Sequence, residues 1–237
     1  EGYTGASIGG VSGCSICASG SWAASGTDIP CQIVNCANNV DASGHLYVAA
    51  SVTTIVDDAF ASCNALTSIS FGKNSMLSSI GDRSFLASSI ATISFPSKLI
   101  TIGAYSFKDC GSLVSVKFHC TLISCNLYKI DEGAFQSSGI TSIIIPRSLA
   151  ILKKYSFHNC LSLTTIDIPN NSILSVIGEY SFERSAITTI YLPSYLLTIG
   201  AYSFKDCTSL TSVTFANNIL LSEISKGLFA GSGLTSI

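Results

Sequence analysis

The chain is organised around a phenylalanine that returns at a near-fixed interval. Phe60, Phe85, Phe107, Phe135, Phe157, Phe182, Phe204 and Phe229 follow one another at spacings of 25, 22, 28, 22, 25, 22 and 25 residues. Two lengths alternate, with one enlarged copy between Phe107 and Phe135. In places the repetition is literal: TIGAYSFKDC stands at Thr101–Cys110 and again at Thr198–Cys207. A period of roughly 20–50 residues marks a solenoid. Each unit is too small to bury its own apolar residues, so neighbours must stack.

Downstream of each Phe runs a second phrase, apolar-x-x-apolar-x-apolar. It reads LTSISF at Leu66–Phe71, IATISF at Ile90–Phe95, LVSVKF at Leu113–Phe118 and ITSIII at Ile140–Ile145. It continues as LTTIDI at Leu163–Ile168, ITTIYL at Ile187–Leu192 and LTSVTF at Leu210–Phe215. Its last four residues alternate, as in a half-buried strand. LYV at Leu46–Val48 occupies the same place before Phe60, so the solenoid is expected over residues 41–237, about eight repeats with the last, LTSI at Leu234–Ile237, incomplete. The longer copies match the leucine-rich pattern L-x-x-L-x-L-x-x-N-x-L, with Asn74, Asn171 and Asn218 at the Asn position. In that pattern the Asn satisfies backbone groups of neighbouring turns. The shorter copies carry Lys98, Ser148 and Tyr195 there, which would interrupt an Asn ladder.

With segments such as IGAYSFKDCGSLVSVKF (Ile102–Phe118) and IGEYSFERSAITTIYLP (Ile177–Pro193), the chain from about Asp41 resembles the BspA-like leucine-rich repeat family. The resemblance implies a leucine-rich-repeat solenoid: a curved right-handed coil with a parallel β-sheet on the concave face and turns or helical turns on the convex side. It also implies a surface or secreted protein concerned with adhesion and protein binding.

Stacking predicts a spine made of the eight Phe anchors, each worth roughly 1.5–3 kcal/mol on burial. Ile80, Ile102, Ile177 and Ile199 point into the same core, and the Gly after each suits a tight turn. Three residues beyond each Phe, cysteine and serine alternate: Cys63, Ser88, Cys110, Ser138, Cys160, Ser185, Cys207, Ser232. Strands of adjacent turns lie about 4.8 Å apart. Cysteines two turns apart are therefore beyond the roughly 7 Å reach of a disulfide. Cys63, Cys110, Cys160 and Cys207 are expected as free buried thiols. The first forty residues lack the repeat and carry Cys14, Cys17, Cys31 and Cys36. They read as an N-terminal cap, residues 1–40, stapled by two disulfides in any of three pairings. The rival is a zinc site at Cys14-x-x-Cys17. Cys120 and Cys125, in the enlarged repeat, are candidates for a local disulfide. Disulfides place the chain in an oxidising, extracellular setting, secreted or at the cell surface.

Charged residues make up 11% of the chain, the net charge is −2, and no basic run occurs. That excludes a nucleic-acid partner, which needs clustered Lys and Arg. No apolar run approaches the roughly 20 residues of a membrane span. His45, His119 and His158 fall at different phases of the repeat, and no nucleophile, metal or phosphate motif accompanies them. The carboxylates before the anchors, such as Asp57, Asp58, Asp131 and Glu132, read as solvated turns. The sequence predicts no enzyme, no metal site and no cofactor. Asn170-Asn171-Ser172 offers Asn170 as a glycosylation acceptor.

The concave sheet is the expected working surface. Its first outward column is nearly uniform, Ser68, Thr92, Ser115, Ser142, Thr165, Thr189 and Ser212. The second is varied: Tyr47, Ser70, Ser94, Lys117, Ile144, Asp167, Tyr191 and Thr214. Mixed aromatic, apolar and charged stripes suit protein recognition, and Tyr47, Lys117, Ile144, Asp167, Tyr191 and Thr214 are the candidate contacts. Tyr105, Tyr155, Tyr180 and Tyr202, two residues before their anchors, read as half-buried packing or as a lateral contact. Two functional readings stand. One is a binding module for a protein ligand or receptor. The other is a structural subunit: the uncapped strand at Ile237 reads either as a fragment boundary or as an edge on which further copies stack head to tail, extending the sheet into a filament.

Overall fold

The computed structural model describes the strands Cys14–Cys17, Ser21–Ala24 and Gln32–Ile33, residue 36, and residues 39–119 and 125–235. The chain winds as a parallel-strand solenoid of about 7 turns. The alternating phrases form the concave sheet. His45–Val48, Ser68–Phe71, Thr92–Phe95, Ser115–Phe118, Ser142–Ile144 and Thr165–Asp167 line up as six parallel strands. Thr189–Leu192 and Ser212–Phe215 pair beside them. Between the two groups the ladder lapses, although Thr188 N–H still donates to Thr164 O at 3.2 Å. The register sets each column on itself: Ser115 pairs with Thr92, Val116 with Ile93, Lys117 with Ser94 and Phe118 with Phe95.

A second ladder was not legible in the sequence. Thr54–Ile55, Ser79–Ile80, Thr101–Ile102, Lys129–Ile130, Ile151–Leu152, Val176–Ile177 and Thr198–Ile199 are two-residue parallel strands, too short to show a period. Their second residue points inward in every turn, as expected for Ile80, Ile102, Ile177 and Ile199. At its N-terminal end this sheet continues through Gln32–Ile33, parallel to Thr54–Ile55. Ser21–Ala24 and Cys14–Cys17 then follow as antiparallel strands. Main-chain pairing thus joins the N-terminal segment to the solenoid.

The convex side holds turns, with no helix among the described residues. The eight anchors stack into one column with successive ring centroids 4.9–5.6 Å apart. The stack from Phe60 to Phe204 is fully buried. Main-chain bonds run alongside it. In turn after turn the N–H of the Phe donates to the next turn, as Phe157 does to Ser181 O at 2.7 Å. The N–H groups two residues before and after do the same, Tyr155 to Glu179 O and Asn159 to Glu183 O. These flanking residues take a positive φ throughout, Tyr155 at 60° and Asn159 at 58°. Left-handed geometry costs a non-glycine residue roughly 1–2 kcal/mol. Here it aims alternate N–H groups at the neighbouring turn, so the inter-turn bonds offset the cost.

Three expectations need correction. The Gly after each inward Ile was expected to serve a tight turn, but none of Gly81, Gly103, Gly178 and Gly200 has a positive φ. They permit close approach instead: a Cβ at Gly178 would lie 2.4 Å from Lys154 N on the preceding turn. The Asn ladder is likewise absent. Asn74, Asn171 and Asn218 are exposed, and Asn74 and Asn218 occupy left-handed positions that Asn tolerates. The inward positions that follow fall one residue later than the leucine-rich pattern places them. Buried Ser75 and Ser172 accept from Leu77 N–H and Leu174 N–H at 3.3 and 3.2 Å, and Leu77 and Leu174, not Met76 and Ile173, fill the core.

The third correction concerns Cys63, which is not a free thiol. It is bridged to Cys36, with Cα atoms 5.8 Å apart. The two-turn separation that keeps the other column cysteines apart does not apply, because Cys36 stands one turn before Cys63, where a Ser precedes each later Cys. With Cys36 bonded into the solenoid, the two-disulfide cap drawn from Cys14, Cys17, Cys31 and Cys36 alone does not hold. Cys14 and Cys17 lie on a described strand, and Cys31 and Cys120 lie outside the described residues. Cys125 is disulfide-bonded. Cys110, Cys160 and Cys207 are free and buried, as expected. Each thiol donates to the anchor carbonyl of the preceding turn, Phe85, Phe135 and Phe182, at 3.0 Å. Ser88, Ser138 and Ser185 approach the same sulfurs at 3.5, 3.6 and 3.4 Å, which explains the alternation.

Phe157→Ala should cost about 3–5 kcal/mol in denaturant unfolding, through the cavity it opens in the stack. A loss below about 1 kcal/mol would exclude the spine role. Ser88→Cys should oxidise with Cys110 as Cys36 does with Cys63, removing one titratable thiol from the denatured, unreduced protein. Burial pushes the Cys160 thiol up from its ordinary 9.0 to about 11. The folded state thus favours the neutral thiol. Its contribution to stability is full below pH 9 and is lost as pH rises towards 11. Native protein at pH 8 should accordingly resist alkylation at Cys110, Cys160 and Cys207 until it unfolds.

Candidate functional site

Each concave strand buries its central residue between two outward ones, so its second outward side chain is free of the stacking constraint. Along this second column Tyr47 is 45% exposed and Ile144 65% exposed. Lys117, Asp167 and Thr214 are also exposed, and Tyr191 is half-buried. The parallel register places Ile144 directly beside Asp167, and Tyr191 beside Thr214. The candidate contacts lie in one column, with Ser70 and Ser94 standing between Tyr47 and Lys117 and a lapse in the ladder between Asp167 and Tyr191. In the first column, His45 stands ahead of Ser68. Its Nδ1 meets Ser68 Oγ at 2.9 Å and its Nε2 meets Ser70 Oγ at 2.8 Å. Both ring nitrogens are thereby occupied by hydroxyls. The nearby Asp41 carboxylate accepts from the His45 backbone N–H at 3.0 Å, not from the ring, so no Ser–His–Asp relay is assembled.

On the convex side some cations and carboxylates meet between turns, while Lys108, Lys153, Arg184 and Lys226 enter no ion pair among the described residues. Arg83 forks onto Asp58 with bonds of 2.9 and 2.8 Å, and Lys154 approaches Glu132 at 3.3 Å. Glu183, nearly buried, takes Lys205 at 2.7 Å and faces His158 Nε2 at 3.3 Å. Burial nonetheless holds the His158 imidazole below its usual range, with Glu183 opposing. On the concave side and along the strand exits stand Lys73, Lys98, Lys117 and Arg147, all exposed. None of them enters an ion pair among the described residues. Sequence reading took Lys117 from this set and missed the others, because they sit in turns whose side-chain direction only the fold defines.

The tyrosine column is packing within the chain. Tyr155, Tyr180 and Tyr202 stack with centroids 5.2 Å apart. Glycine replaces the ladder residue where a ring lies across the next turn. A Cβ at Gly133 would fall 2.4 Å from Tyr105, and one at Gly227 2.3 Å from Tyr202. The Tyr105 hydroxyl donates to Glu132, which is the main reason its pKa rises to about 12. Asn170 is exposed in the turn after Thr165–Asp167. No group of three or more metal-ligating side chains occurs among the described residues. Nor does any helix long and apolar enough to cross a membrane.

Comparison with solved structures bears on the fold. A leucine-rich repeat protein from Bacteroides ovatus superposes with a TM-score of 0.53 at 20% identity, over 81% of this chain and 66% of its own. The pneumococcal vaccine antigen PcpA superposes with a TM-score of 0.54 at 20% identity, over 74% of this chain and 51% of its own. The chain therefore spans less than two thirds of either protein. No curated protein matches it in sequence. The family described as BspA type leucine rich repeat region matches over residues 36–129 and 128–237, in 6 copies. With the stacked anchors, the inward Ile ladder and the alternating concave strands, this match shows that the chain belongs to the BspA-type leucine-rich repeat family.

Proposed function

We propose that this chain is a protein-binding module displayed outside the cell, engaging its partner on the concave face. The stripe of exposed Tyr47, Lys117, Ile144 and Asp167 carries the reading. Ile144, 65% exposed on the outer face of its strand, contributes nothing to the core and is free to meet a partner. Aromatic, apolar and charged groups set side by side on a rigid sheet provide the anchors that protein interfaces use. The Cys36–Cys63 bridge fits an oxidising, extracellular setting. The family resemblance fits surface display, and one structural neighbour is a bacterial vaccine antigen. In this reading residues 1–40 close the N-terminal end and residues 41–237 present the binding sheet.

Replacing Lys117, Ile144, Asp167 and Tyr191 together by alanine should abolish capture of the partner by the immobilised chain. The far-ultraviolet spectrum and melting point should remain those of the parent. Capture undiminished by the quadruple change would exclude this face.

A further inference from the structure

Two of the unpaired cations, Lys73 and Lys98, stand at a groove of about 580 Å³ where the strands Ser68–Phe71 and Thr92–Phe95 turn outward. Lys73, Lys98 and His119 line it, with Phe71 and Pro96 as its apolar floor. Lys117 is register-paired with Ser94, another lining residue, and adds its charge from the next strand. No carboxylate lines the groove among the described residues. The recorded partner of the Lys98 ammonium is the Met76 thioether, 2.8 Å away, a weak acceptor for a full positive charge. Phe71 is half-buried here, whereas Phe95, its counterpart one strand on, is fully buried. Gly72 lines the groove, and a Cβ there would stand 2.7 Å from Ala50 N and 3.0 Å from the Tyr47 hydroxyl.

We propose that this groove receives an acidic segment of the partner protein. Carboxylates would pair with Lys73 and Lys98, and an adjacent apolar side chain would rest on Phe71 and Pro96. The assignment rests on the reading of the concave face as a protein-binding surface and names the chemistry of what binds. Two features favour a peptide over a sulfated glycan. The floor is apolar, and a glycan has no apolar side chain to place on it. The cations are few and lysine-borne, set at the rim of a short groove, and do not form the long basic track that a polyanion follows. Within a chain of net charge −2, this local surplus of positive charge steers an acidic segment towards this end of the sheet.

The test is fluorescence anisotropy with a fluorescein-labelled Glu-rich peptide carrying one Phe. The same peptide without Phe, its Lys-rich counterpart and a heparin oligosaccharide serve as comparisons. The Glu/Phe peptide should bind, weakening at least about tenfold as NaCl rises from about 50 to about 500 mM, since exposed charges are screened. Lys73→Glu with Lys98→Glu should reduce binding at least about tenfold, while Lys153→Glu with Lys226→Glu, the same charge change elsewhere, should alter it less than about twofold. Removal of the Phe should weaken binding measurably. No binding of the acidic peptide, equal loss in both double variants, or Lys73/Lys98-dependent binding of heparin alone would overturn the assignment. If the Lys73/Lys98 variant still captures the partner while the quadruple concave variant does not, the acidic-segment assignment fails and the protein-binding reading stands.

Discussion

The stacked Phe column fixes everything else in the molecule. Because one ring per turn must lie on the ring before it, each turn returns to the same point however many residues it takes. The differences in repeat length are absorbed away from that point. After the strand Ser68–Phe71 the chain needs two more residues to reach Ile80 than it needs from Phe95 to Ile102, and the surplus sits in the exposed turn at Lys73–Met76. The enlarged repeat adds its residues in the corresponding place, between Phe118 and Lys129. With the rings in register, the concave strands, the two-residue ladder and the convex N–H row all align. The left-handed residues flanking each Phe are the conformational cost of that alignment.

One relation between adjacent turns explains the cysteines. Three residues past the anchor, neighbouring turns bring their side chains together. Where Ser meets Cys, the two share a buried weak hydrogen bond and the thiol reaches back to the anchor carbonyl. Where Cys36 meets Cys63, the same approach becomes a covalent bond. Closing a loop of that size contributes roughly 3–4 kcal/mol. That bond falls at the N-terminal end, where the Phe column begins and fewer neighbours hold a turn in place.

Stacking also decides where recognition chemistry can reside. Inward positions are committed to the column and its ladders. Some convex polar groups pair between turns, as in Arg83–Asp58, Lys154–Glu132 and the stacked tyrosines. The second concave column and the strand exits carry no such duty. There the side chains vary from turn to turn, the cations stand unpaired, and Ile144 faces water.

The repeat, the eight anchors, the inward Ile positions and the alternating strands were legible from residue order alone, because each follows from a period that side-chain chemistry makes visible. The sequence also separated the uniform first column from the varied second. It could not show the two-residue ladder, whose strands are shorter than any period. It misjudged the glycines after Ile, since close approach between turns leaves the same glycine signal as a tight turn. It likewise misjudged Cys63, whose partner Cys36 sits in a stretch without an anchor to count from, 27 residues back, a spacing the column does not use elsewhere. Only the tertiary structure placed Lys73, Lys98 and His119 around one groove, because turn residues point where the neighbouring turns leave room for them.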